Sequence, residues 1–330
     1  MQVVNSQEKQ TNINGLNINY KQIGNGNIPI VLLHGWGLSS DKYLELARWL
    51  HDPKLSDNKT ECSQNAENIK PVGKIFQPHL SGGLSSSLKF QIIIPDLPGF
   101  GKSDEPDENW SLDDYVEFTD EFIKCVMQKR GFELVKNILK KMQSGSTALT
   151  GLWNQQEKKE KIILIGHSLG GKVVIRYAIK YPEKVDKLIL TGAAGIKSKL
   201  TVKQKIFSIL GKTGKIVFSL PVINNFRKPV YKIFSKIAQS RRKDYYYASP
   251  KMKEIMKNIL AINLTDCLDK IKTPTLLIWG REDTTTPFTD GKVMNEKIEN
   301  SELVIIDDAN HSLPYQKPKE FAKIVEAFIR

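Results

Sequence analysis

Lys161-Ile162-Ile163-Leu164-Ile165-Gly166-His167-Ser168-Leu169-Gly170-Gly171-Lys172 decides how the rest of the chain is read. An apolar, β-branched run of strand length ends at a glycine. One serine follows between small residues, and a helical pattern then runs to about Tyr181. Gly-X-Ser-X-Gly at 166–170 predicts a strand, a turn too tight for large neighbours, and a helix. A Cβ at position 166 or 170 would crowd that turn, which holds the serine strained with its Oγ projecting. The helix also aims free N–H groups, and the positive end of its dipole, at the serine. The same residues nearly spell a phosphate loop, because Gly166, Gly171 and Lys172 fit G-x-x-x-x-G-K. That motif needs Ser or Thr next to hold Mg²⁺; Val173 stands there, so a nucleotide site is set aside.

On either side of this stretch, short apolar runs alternate with helical patterns. Asn14-Gly15 between alternating stretches predicts a type I′ hairpin ending near Ile23. Ile28 to Leu33 reads as a buried strand that stops at His34-Gly35-Trp36-Gly37, followed by a helix to about Leu50. From His51 to Leu88 the pattern dissolves into Ser, Asn, Lys, Pro and Gly, which predicts a long, partly mobile surface excursion. Phe90 to Ile94 is a strand running into Pro95-Asp96-Leu97-Pro98-Gly99-Phe100-Gly101-Lys102-Ser103, and Leu112 to Met127 is a helix. Gly131 to Met142 is helical in pattern, whereas Gln143 to Gln156 reads as a second polar insertion. Further strands are expected at Lys187–Leu190, Pro274–Gly280 and Glu302–Ile306, with helices at Phe288–Ile298 and Pro318–Arg330. This alternation predicts an α/β fold, a doubly wound and mostly parallel sheet with helices on both faces. Sites of such sheets lie at the carboxyl ends of the strands. The unusual residues Trp36, Asp96, Ser168, Asp283 and His311 all stand just past predicted strand ends.

Composition narrows the class. At 330 residues, with 40% hydrophobic and 26% charged residues, the chain can bury one large core or two modest ones. Met1 to Lys9 is polar, which predicts no signal peptide, and no run approaches the roughly 18 apolar residues of a membrane span. The three cysteines, Cys62, Cys125 and Cys267, are far apart and show no metal or disulfide spacing. A cytoplasmic protein with neither metal nor cofactor is expected. The net charge of +13 is local: Ile196 to Lys272 holds 18 Lys/Arg and 4 Asp/Glu, a net +14, against −1 for the remainder.

A serine nucleophile needs a base, and imidazole suits because its pKa lies near neutrality. His51 and His79 belong to the polar excursion; His167, one residue from Ser168, should point elsewhere and serve packing; His34 opens a loop and reads as structural. His311, in the loop Asp308 to Pro314 after a strand, is the candidate base. Asp283, in Gly280-Arg281-Glu282-Asp283-Thr284-Thr285-Thr286-Pro287, is the candidate acid that orients it, with Glu282 as runner-up. The competing role for Asp283 is helix capping, which the neighbouring threonines can take over.

These motifs resemble those of the α/β-hydrolase fold superfamily. Gly166 to Gly171 is similar to its nucleophile elbow, His34 to Gly37 to its HGxG loop, and Asp96 to Ser103 to its DxPGxGxS turn. The chain order Ser, Asp, His is also that family's. The likeness covers about 30–50, 90–127, 161–195 and 272–330, and is nearest to small-molecule hydrolases with a helical cap. It implies catalytic Ser168, Asp283 and His311, with an oxyanion hole from the Leu169 and Trp36 amides. It also implies an acyl-enzyme route on an acyl ester of a small or lipid-like substrate. Acyl transfer, perhydrolysis and C–C bond hydrolysis use the same triad and stay open, as does a hydrolase-shaped binding protein without turnover. The implied organisation is a core at 1–194, with insertions at 51–88 and 143–156, a basic helical cap at 195–271, and the rest of the core at 272–330. Cap stretches such as Ile206–Leu210, Ile216–Phe218 and Tyr231–Phe234 carry apolar residues at helical spacing between lysines. They read as a lid with solvated lysines, or else as a surface in weak contact with anionic membrane. Nucleic acid is not an expected partner, since no binding module accompanies the charge.

Overall fold

The computed structural model describes residues 6–52, 69–72, 90–143, 161–196 and 248–330; for 69–72 and 132–143 it describes the backbone only. Asn14 (φ 51°) and Gly15 (φ 92°) both adopt the positive φ of a type I′ turn. They join β1 (Gln7–Ile13) to β2 (Leu16–Ile23). Then come β3 (Ile28–Leu33), α1 (Leu44–His51), β4 (Ile69–Val72), β5 (Phe90–Pro95) and α2 (Leu112–Gln143). The elbow supplies β6 (Ile162–His167) and α3 (Leu169–Lys180), and β7 spans Val185–Thr191. The chain closes with α4 (Pro250–Ala261), β8 (Thr275–Gly280), α5 (Phe288–Lys297), β9 (Ser301–Ile306), α6 (Leu313–Gln316) and α7 (Pro318–Ile329).

Among the described residues, nine strands form one sheet in the order β1-β2-β5-β3-β6-β7-β8-β9-β4. Pairing is parallel from β5 through β9 and antiparallel for β1, β2 and β4 at the two margins. Side chains alternate between faces, as the pleat demands. Val31, Leu33, Leu164, Leu188, Leu190, Leu277 and Trp279 enter one core with residues of α2, α3, α4 and α5. Ile30, Leu32, Ile163, Ile165, Ile189, Leu276 and Ile278 enter the other with residues of α1 and α7. Each such buried side chain is worth about 1.5–3 kcal/mol, so the central strands anchor whatever hangs from their ends.

Two expectations change. The excursion from His51 to Leu88 contains an ordered piece, since Ile69–Val72 pairs with β9 as an edge strand. Periodicity cannot find a four-residue strand whose stability comes from its partner, and Pro71 is tolerated there because one side of an edge needs no N–H. The helix expected over Leu112–Met127 and the helical pattern over Gly131–Met142 are one continuous helix, Leu112–Gln143. The polar insertion after Gln143, the rest of the 51–88 excursion and the cap stretches from 197 to 247 lie outside the described residues. The described end of the expected cap, α4, sends Met252, Ile255 and Ile259 into the same core as α3. No helix among the described residues is long and apolar enough to cross a membrane.

Candidate active site

β3 leads on to β5 on one side of the sheet, and β6 then starts the run toward the other. The order therefore reverses between β3 and β6, which pair in parallel with Leu33 opposite Gly166. The crevice above such a reversal is where ligands bind in open α/β sheets. Both the His34–Gly37 loop and Ser168 emerge there.

Ser168 occupies φ 54°, ψ −114°, a conformation that costs a non-glycine residue about 1–3 kcal/mol. Its surroundings enforce the strain. The Ser168 amide donates to the Thr191 carbonyl at 3.2 Å, and the Ser168 carbonyl accepts from the amides of Ala194 (2.9 Å) and Lys172 (3.2 Å). A Cβ on Gly166 would lie 2.3 Å from Val174 Cγ2, and one on Gly170 would lie 2.2 Å from the Leu33 carbonyl oxygen. Both glycines are therefore spacing requirements of the turn. Lys172, the residue that mimicked a phosphate loop, is 2% exposed, and its Nζ donates to the Ile259 and Ile262 carbonyls, each at 2.6 Å. It fastens the C-terminal end of α4 to α3 and faces no phosphate cradle.

Asp283 sits three residues past β8, buried, with both oxygens in use. Oδ1 accepts from the Thr285 and Thr286 amides at 2.8 and 2.9 Å; Oδ2 lies 2.8 Å from His311 Nδ1 and 2.9 Å from Thr286 Oγ1. The capping role expected of the threonines thus falls to Asp283 itself, for its own turn, while α5, starting at Phe288, has Pro287 at its N-cap and no side-chain cap among the described residues. Burial opposes the Asp283 charge, but His311 and the donors on Thr286 outweigh it, so the carboxyl is held below its ordinary value. Glu282 is exposed and contributes its amide to the Ala309 carbonyl.

Because Asp283 accepts from Nδ1, the neutral His311 ring keeps Nε2 bare as a proton acceptor. Gly192, at φ 48°, lies beneath this pair; a Cβ there would come within 3.0 Å of His311 Nδ1 and 3.2 Å of Asp283 Oδ2. Ser168 and His311 make no hydrogen bond to each other among the described residues. Such contacts are commonly loose until substrate is in place.

The Leu169 amide opens α3, where the first amides of a helix have no intrahelical acceptor. Gly170 N–H donates to the His34 carbonyl at 3.1 Å, so the His34–Gly37 loop is tied directly to the helix start. Neither the Leu169 nor the Trp36 amide donates to an acceptor among the described residues. His34 is structural, as its position suggests. Fully buried, it accepts from the Leu97 amide at Nε2 (2.9 Å) and donates from Nδ1 to the Gly35 carbonyl (2.7 Å). Asp96 is a second knot, taking the Ser40 and Lys102 amides and the Asn19 side chain. Beside the loop opens a cleft of about 310 Å³ lined by Trp36, Leu38, Phe100, Glu105 and Met252.

Sequence reasoning missed Thr286, Gly192 and Tyr43, and it read His167 as packing only. Thr286 and Gly192 stand in stretches flagged as strand ends, so their placement was within reach. Nothing in the sequence marks Tyr43, whose hydroxyl meets His167 across 124 positions of chain.

The Alpha/beta hydrolase family model matches residues 30–324. The chain is 24% identical to the 2-hydroxy-6-oxononadienedioate/2-hydroxy-6-oxononatrienedioate hydrolase 1 of Pseudomonas putida, over 95% of this chain and 92% of that one. It is 26% identical to the monoacylglycerol lipase ABHD6 of Rattus norvegicus over 52% of this chain and 55% of that one. Among solved structures, a variant of the meta-cleavage product hydrolase CumD from Pseudomonas fluorescens IP01 superposes with a TM-score of 0.56. That structure shares 20% identity over 97% of both chains. With a strained residue at the strand-to-helix elbow and a family match spanning most of its length, the chain belongs to the α/β hydrolase family.

Proposed function

We propose that this chain is a serine hydrolase that cleaves an acyl ester of a small or lipophilic substrate through an acyl-enzyme intermediate. The observation that carries the reading is Ser168 at φ 54°, ψ −114°, above a sheet whose later strand ends present a hydrogen-bonded Asp283–His311 pair. His311 Nε2 takes the Ser168 proton as Oγ attacks the acyl carbonyl, and the oxyanion turns toward the Leu169 and Trp36 amides. Such donors are typically worth about 3 kcal/mol each in the transition state. The alcohol leaves with the proton from His311. Water, deprotonated by His311, then attacks the acyl-enzyme and releases the acid. Asp283 holds the ring in the required tautomer and stabilises its cation.

The test is labelling by a fluorophosphonate probe, then turnover of acyl esters of graded chain length, for wild type and Ser168→Ala. Labelling and turnover should both vanish in the variant with the fold intact. Labelling that survives places the nucleophile elsewhere.

A second reading, C–C bond hydrolysis of a dienoate, is favoured by likeness to the Pseudomonas putida hydrolase over nearly the whole of both chains. A 2-hydroxy-6-oxo-dienoate turned over faster than any ester would select it. The segment at 195–271 acts in this proposal as a lid over the site. Salt-sensitive pelleting with anionic but not neutral vesicles would assign it to a membrane surface instead.

A further inference from the structure

Resting on Ser168 as the nucleophile, we propose that His167 and Tyr43 form a proton-ordered strut that holds the base loop and the oxyanion loop in register around it. Both are then positioning residues for the reaction.

His167 is 1% exposed and Tyr43 fully buried, yet all their polar atoms are paired. His167 Nε2 lies 2.8 Å from the carbonyl oxygen of His311, and Nδ1 lies 2.7 Å from Tyr43 Oη. Tyr43 Oη in turn accepts from the Gly35 amide at 3.5 Å, the longest link. A carbonyl only accepts, so Nε2 carries the proton. Burial first, and the neighbouring His311 second, push the His167 pKa down to about 3, so the ring is neutral and Nδ1 is bare. The Tyr43 hydroxyl must therefore donate to Nδ1, which leaves its oxygen to receive the Gly35 N–H. Every direction follows from the one acceptor at the end.

The termini of this chain are what give it a role. One is the backbone of the candidate base itself. The other is the residue preceding Trp36, whose amide is a candidate oxyanion donor. The central ring also abuts the nucleophile's turn, since a Cβ on Gly35 would lie 3.1 Å from His167 Nδ1 and 3.0 Å from Ser168 Cβ. Tyr315 packs edge-on against both rings, with centroids 5.8 Å from Tyr43 and 6.1 Å from His167. An apolar residue at 167 would fill the same space, but it would leave the His311 carbonyl and the Tyr43 hydroxyl unpaired.

The test compares Tyr43→Phe, His167→Gln, His167→Leu and, as a ring-packing control, Tyr315→Phe, each at matched folded fraction. Readouts are the fluorophosphonate labelling rate and kcat and KM on a short p-nitrophenyl ester. Losing one such bond should lower kcat and the labelling rate of Tyr43→Phe by roughly fivefold or more, with KM within about twofold. Tyr315→Phe should stay near wild type. His167→Gln, whose amide can still donate to the His311 carbonyl, should outperform His167→Leu. Nitrogen spectra of histidine-labelled protein should show His167 as the Nε2–H tautomer, without titration between about pH 8 and 5. Unchanged kcat in Tyr43→Phe, or a His167 that titrates in that window, overturns the strut. A wild type that the probe leaves unlabelled overturns the hydrolase reading itself, and the catalytic role of the strut with it.

Discussion

Thr286 Oγ1 lies 2.9 Å from Asp283 Oδ2 and 3.1 Å from His311 Nδ1, so one hydroxyl touches both members of the acid–base pair. It also reaches the Gly192 carbonyl at 2.9 Å, which joins the ends of β7 and β8. Asp283 owes part of its lowered pKa to this residue. A carboxylate with a depressed folded pKa supports function and stability above that value, and loses them as pH falls through it. Thr286→Val removes a donor, so Asp283 should rise toward its ordinary value, and the stability advantage of wild type over the variant should shrink as pH falls through the carboxylate range, with Thr286→Ser near wild type. Urea midpoints measured across the acid range check this, and a difference that stays flat with pH discards the role.

The choice between the two carboxylates at the end of β8 is testable by paired substitution. Asp283→Asn should lower kcat by roughly 10⁴-fold, by analogy with other serine–histidine–aspartate sites. Glu282→Gln should leave it nearly unchanged, because Glu282 is exposed and, among the described residues, only its backbone is engaged. The opposite ranking would transfer the role.

Gly192→Ala adds one methyl group at φ 48°, aimed at His311 Nδ1 from 3.0 Å. Backbone strain and the contact act together, and an alanine held at positive φ costs about 1–2 kcal/mol. The variant should fold with a lower melting temperature and lose kcat far more than KM, because the displaced group is the base. A loss confined to KM would contradict this.

Lys172 provides a stability prediction at alkaline pH. Burial lowers its pKa to about 8. Between that value and the ordinary lysine range the unfolded chain binds more protons at this position than the folded one, so wild-type stability gains from this group as pH rises. Lys172→Met lacks the group. The difference in urea midpoint between wild type and variant should shift in favour of wild type from pH 8 to pH 10, and a flat difference would show that Lys172 does not titrate there.

Local chemistry alone carried much of this protein. The I′ hairpin, the parallel core strands and the elbow announce themselves through residues that only one backbone geometry suits: Asn14-Gly15, the β-branched runs, Gly166 and Gly170. Candidate site residues were legible for the same reason, since each stands just past a strand end, and strand ends in such a sheet converge. Tertiary structure decided what depends on a distant partner. Ile69–Val72 is a strand only because β9 offers it an edge. Lys172 is a fastener because α4 brings two carbonyls to it. Asp283 rather than its threonines caps the turn, since only its carboxylate can meet two amides and an imidazole at once. His167 looked like packing because its neighbours in sequence say nothing of Tyr43 or of the His311 carbonyl. A hydrogen bond is directional and needs its partner within about 3 Å, so its existence is a property of the folded arrangement. Periodicity and spacing record only which residues can share a face.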